Sequence, residues 1–152
     1  MPANHESLLA GRSLAPLADK DVKRAISTFL GLDPKAPVRY QEAARTSFRV
    51  YLDESGQETP EIIFGPDLYP GTGVLDPNSS LSMQAAAAHE LTHYARWVDK
   101  TELSQDHLFE IDEALTSLES ILRFQTKLGE HDIRQLVGDA IQRLQLFAQK
   151  NL

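Results

Sequence analysis

Apolar positions recur along the chain with two different periods. From Asp21, the residues Val22, Ala25, Ile26 and Phe29 fall at helical spacing until Gly31 and Asp33-Pro34 end the run. Ser47 to Asp53 alternates instead, with Phe48, Val50 and Leu52 on one side and Arg49 and Tyr51 on the other, the pattern of a half-buried strand. Asp53-Glu54-Ser55-Gly56 reads as a turn, and Glu61-Ile62-Ile63-Phe64 as the returning strand of a hairpin. Gly65 to Asn78, rich in Gly and Pro, reads as loop. Its Gly71-Thr72-Gly73 lacks the lysine and the full glycine pattern of a phosphate cradle and serves the turn.

Three helical stretches follow. Asn78, Ser79 or Ser80 is expected to cap the first, which runs to about Asp99 with Ala87, Leu91, Tyr94 and Val98 on its core side. The second starts near Asp106 and carries the stripe Leu108, Ile111, Leu115, Leu118 and Leu122 until Gly129 breaks it. The third, from Glu130 to about Gln149, places Ile133, Leu136, Val137, Ala140, Ile141, Leu144 and Ala148 on one face. Residues 1–20 show little periodicity and read as a loose arm, leaving 21–152 as a single domain. The expected fold is α+β, a short twisted sheet packed on the first of these helices with two further helices after it.

Composition narrows the function classes. A chain of 152 residues is large enough for one real core. A net charge of -7 argues against a nucleic-acid partner. With no cysteine there is neither a disulfide framework nor a thiolate metal site, so any metal must be held by His, Asp or Glu. Met1 to Pro16 has no basic region followed by an apolar run, and no segment approaches membrane-spanning length, which makes a soluble cytoplasmic protein the expectation.

The chemistry concentrates in His89-Glu90-Leu91-Thr92-His93. Helical residues four apart lie one above the other, so His89 and His93 can offer two imidazole nitrogens to a single ion. Glu90 lies to the side of that pair, where it can take a proton from water at the metal without binding the metal itself. Four preceding alanines, Ala85 to Ala88, allow close packing of the helix.

This string resembles the active-site helix of the zincin metallopeptidases, and most closely the gluzincins, the thermolysin-like branch. The resemblance implies a catalytic Zn2+ with a third protein ligand, a zinc-activated water, and a protein or peptide substrate. Asp112-Glu113-Ala114 resembles the Asn-Glu-Ala segment that supplies the third ligand there, which points to Glu113, twenty residues after His93. At about 100° per residue Glu113 falls nearly opposite the leucine stripe, flanked by the small residues Ala114, Ser117 and Ser120. Its helix would then be sandwiched, leucines against the C-terminal helix and Glu113 against the metal helix. Glu110, one turn earlier, is the runner-up, and Glu119 is a further candidate. Asp99 has the six-residue spacing from His93 used by metzincins, but Arg96 stands where those enzymes have the glycine that turns the chain back. Gluzincins often support the first histidine with an aspartate four residues after the third ligand. Ser117 occupies that position here, with Asp112 or Glu119 as substitutes.

An oxyanion-stabilising group is also expected, from His107, His131, Tyr69 or Tyr94, with His107 the preferred candidate. Glu61 to Phe64 offers a sheet edge for an extended peptide. The implied roles are those of an intracellular regulatory protease or a toxin-like effector. The alternative is a non-catalytic zincin-like interaction module, acting as a homodimer or on a partner through the apolar stripes of its C-terminal helices.

Overall fold

A computed structural model of the chain describes residues 15–69 and 81–151. These form four α-helices and a three-stranded sheet, an α+β arrangement. In chain order they are α1 (Asp19–Leu32), β1 (Val38–Tyr40), β2 (Ser47–Leu52), β3 (Glu58–Phe64), a short 3-10 turn (Pro66–Leu68), α2 (Met83–Asp99), α3 (Phe109–Phe124) and α4 (Glu130–Lys150). α1 begins two residues inside the expected N-terminal arm, whose residues 1–14 lie outside the described residues. Gly71-Thr72-Gly73 and Asn78 to Ser80 lie outside them as well.

β2 and β3 form the expected hairpin. The Asp53 carboxylate accepts from the Ser55 and Gln57 backbone N–H groups, each at 2.9 Å, and Gly56 turns the chain at φ 82°, where a side chain would be strained. The position of β3 departs from expectation. It is the central strand, antiparallel to β2 (Phe48 opposite Ile62) and parallel to β1 (Val38 opposite Ile62). Glu61 to Phe64 is therefore not a free sheet edge, because β1 pairs with the side of the strand that a peptide would need. β1 went unread because three residues are too few to display an alternation.

Ile62 and Phe64, two apart on one face of β3, enter a core with Ala25, Phe29 and Leu32 of α1 and Ala85, Ala87, Ala88 and Leu91 of α2. Burying each large apolar side chain there contributes about 1.5–3 kcal/mol. α2 is thus wedged between α1 and the sheet on one side and α3 on the other. Its cap is Ser82, whose Oγ accepts from the Ala85 N–H at 3.1 Å. α4 fixes this cap: Ser82 donates its hydroxyl to Asp132 at 2.5 Å and its N–H to Gln135 at 2.6 Å. At the other end of α2, Val98 is exposed instead of core-facing, and Tyr94 is half-buried against Phe48.

α3 is rotated relative to its expected apolar stripe, and α4 buries only part of its expected face. Leu115, Leu118 and Leu122 are 40%, 41% and 72% exposed, while Glu110, Asp112, Ala114, Thr116, Ser117 and Ser120 are buried. α4 buries Leu136 and Ala140 of its expected face together with Gln135, and exposes Val137, Ile141 and Leu144. The Glu113 side of α3 does face α2, with the Ser120 Oγ 3.0 Å from the Thr92 Oγ1, but the leucines point outward. Hydrogen bonds and ion pairs to α2 and between α3 and α4 compensate the buried polar groups, so a polar face can lie inside. α3 begins at Phe109, three residues after Asp106, and its Asp112 carboxylate accepts from the Leu103 N–H (3.0 Å) of the preceding segment.

Candidate metal centre

α2 presents His89 and His93 one turn apart, their ring centroids 4.7 Å apart. α3 brings Glu113 to both of them: its Oε2 is 3.3 Å from the His89 Nε2 and in direct contact with the His93 Nε2. One ligand atom from each of the three lies within 4.8 Å of the others, so His89, His93 and Glu113 form a partly buried group able to hold a metal ion. No other group of three such side chains among the described residues meets that distance.

The hydrogen-bond partners fix where the donor hydrogens lie. A carboxylate only accepts, so the 2.6 Å contact between the Ser117 Oγ and the Asp139 Oδ2 uses the serine proton. The Ser117 oxygen, 2.8 Å from the His89 Nδ1, must then accept from a protonated Nδ1. This leaves the His89 Nε2 facing Glu113 as the nitrogen that could meet an ion. His93 has a longer version of the same device. Thr116 donates to the Asp112 carbonyl at 2.7 Å, leaving its oxygen to accept from the His93 Nδ1 at 3.5 Å.

Burial works against a charge on His89, but the hydrogen bond and negative charge of Glu113 outweigh it and raise its pKa to about 9. Burial likewise pushes Glu113 upwards, and the two histidines overcome this, holding it well below the usual carboxylate range. Glu90 moves the other way. Burial raises its pKa, only partly offset by His93 and His89, with Glu113 and Asp67 adding to the rise. Its Oε2 is buried and finds no hydrogen-bond partner among the described residues. An orphaned carboxylate oxygen beside two imidazoles suits a site that takes an ion and its water.

The other candidate ligands are engaged elsewhere. Glu110 pairs with Lys150 (2.9 Å) and Arg143 (3.4 Å). Asp99 is an exposed partner of Arg123 at 2.9 Å, because the helix continues through Arg96 with no turn back. Glu119 pairs with Arg123 (2.8 Å) and Arg96 (3.4 Å). Asp112 pairs with Arg96 at 2.6 Å. Neither Asp112 nor Glu119 supports His89, since both are held by arginine side chains. Of the oxyanion candidates, His107 and His131 are exposed, Tyr69 donates to the Asp21 carbonyl at 2.7 Å, and Tyr94 packs on Phe48. None of the four makes a hydrogen bond, ion pair or ring contact to the three-residue group among the described residues: the tyrosines have other partners and the histidines face outward.

Two residues at the centre escaped the sequence reading, Asp139 and Arg143. Besides its Glu110 contact, Arg143 lies 3.7 Å from Glu113 and 3.8 Å from Asp139. Their only signal is a four-residue spacing on α4, which ordinarily marks a solvated helix face. Comparisons with known protein families, curated proteins and solved structures return no match for the chain.

Proposed function

We propose that the chain is a zinc-dependent metallopeptidase in which His89, His93 and Glu113 hold the metal and Glu90 moves the proton. The carrying observation is the convergence of the three ligand atoms within 4.8 Å near the buried Glu90 Oε2, which has no hydrogen-bond partner among the described residues. Two imidazoles and one carboxylate are a donor set that zinc takes in catalytic sites, where a coordination position stays open. Bound there, zinc supplies a Lewis acid that acidifies water and polarises a carbonyl. Glu90 serves as the base that removes a proton from the attacking water. Its raised pKa suits holding that proton until the leaving amine takes it.

The test uses zinc-loaded protein and a peptide library read by mass spectrometry. Wild type should cleave, while Glu90→Gln should retain about one zinc per chain and lose turnover by about 100-fold or more. Full cleavage by Glu90→Gln would sink the mechanism.

A second reading, a non-catalytic interaction module, has its own observation in the outward leucines Leu115, Leu118 and Leu122. It predicts a mass by light scattering that grows with concentration, together with no cleavage of any library peptide by zinc-loaded wild type.

A further inference from the structure

We infer that Asp139 of α4, acting through Ser117 of α3, is the positioning residue that fixes His89 as a metal ligand. This inference rests on the metal-centre reading above and adds a third helix to it. Two hydrogen bonds carry it, His89 Nδ1–H to Ser117 Oγ (2.8 Å) and Ser117 Oγ–H to Asp139 Oδ2 (2.6 Å). His89 and Ser117 are buried, so water does not compete for the bond between them, and the Ser117–Asp139 bond is partly buried.

The order of donors matters more than the contacts themselves. Serine is ambivalent and can donate to or accept from an imidazole. On its own, Ser117 would tolerate either protonation pattern of His89, including the one that places a proton on Nε2 and blocks the metal. A carboxylate behind it removes the ambiguity, because the serine proton then has one destination. The Arg143 guanidinium lies 3.8 Å from Asp139, without a hydrogen bond to it, and within 3.4 Å of Glu110 and 3.7 Å of Glu113, so its charge offsets the three carboxylates around it. α4 therefore helps shape the metal centre without contributing a ligand, and support that a carboxylate could give directly comes from two residues on two helices.

The experiment measures zinc affinity by competition with a chromophoric chelator in wild type, Asp139→Asn and Ser117→Ala. Long-range 15N–1H spectra of the His89 ring are recorded on the zinc-loaded forms. An asparagine can donate its amide N–H to the Ser117 oxygen and reverse the chain, so zinc binding should weaken about 10- to 100-fold in Asp139→Asn. The proton signal at the His89 Nδ1 should shift or be lost. Ser117→Ala should weaken zinc over the same range. It removes one hydroxyl and keeps the backbone, so it stands as the test if Asp139→Asn does not fold. Ser117→Asp in the Asp139→Asn background places a carboxylate directly beside the Nδ1 and should restore affinity. Unchanged affinity and an unchanged Nδ1 proton in both single variants would overturn the relay and leave the metal centre standing. A wild type that takes up no zinc would overturn both.

Discussion

Glu113 meets two histidines from a helix of its own, and this makes the centre sensitive to protons when no metal is bound. His89 is held at about 9, above its ordinary 6.5, so the folded metal-free chain binds that proton more tightly than the unfolded chain does. The resulting stabilisation is complete below about pH 6.5 and disappears as pH rises through about 9. Glu113 is depressed instead, so its contribution is present above its ordinary 4.5 and is lost as pH falls further. In chelator, the melting temperature should therefore fall between about pH 6 and about pH 9.5, and His89→Gln should flatten that fall. A wild-type melting temperature that held steady or rose over this range would contradict the assignment. At this scale His89, Glu90 and His93 were legible because their relation is local, one turn of one helix. Glu113 needed a resemblance as well. Asp139 was not legible, because its partner lies on another helix and helical periodicity carries no information about which polar residue meets which across an interface.

The connection between α2 and α3 decides which carboxylate reaches the histidines. Arg96 is buried and donates to Asp112 at 2.6 Å and to the Thr101 carbonyl at 3.0 Å, so the end of α2 and the start of α3 share one clamp. Arg96→Ala would leave Asp112 buried and uncompensated and should destabilise the chain by about 3–5 kcal/mol in denaturant titration. A loss under about 1 kcal/mol would mean the pair behaves as a surface bridge. The faces that α3 and α4 bury make a paired prediction. Leu136→Ala should cost about 2–5 kcal/mol and Leu122→Ala within about 0.5 kcal/mol, although the stripe pattern alone would rank them alike. Equal costs would contradict the observed faces. The helices themselves were readable from period and punctuation, and so was the side of α3 that meets α2, but the outward place of the α3 leucines was not. Apolar stripes normally point inward, and here the inward face of α3 carries mostly polar groups.

Across the whole molecule, the sheet and α1 form a fixed backing for α2, and α3 and α4 close over its other side. The α+β class followed from two hydrophobic periods. The central place of β3 did not, because it depends on pairing with a β1 too short to leave a pattern. Because the proposed ligands come from two helices and their proposed support from a third, metal binding and folding should be linked. Zinc at about 100 times its Kd should add about 2.7 kcal/mol of stability. The most direct test of the account is the metal content of protein purified without chelator, by mass spectrometry, for wild type, Glu113→Ala, Glu110→Ala and Asp99→Ala. About one zinc per chain in wild type, Glu110→Ala and Asp99→Ala, with loss in Glu113→Ala, is the predicted result. A wild type without zinc even after reloading, or a Glu113→Ala variant that keeps it, would contradict the central claim.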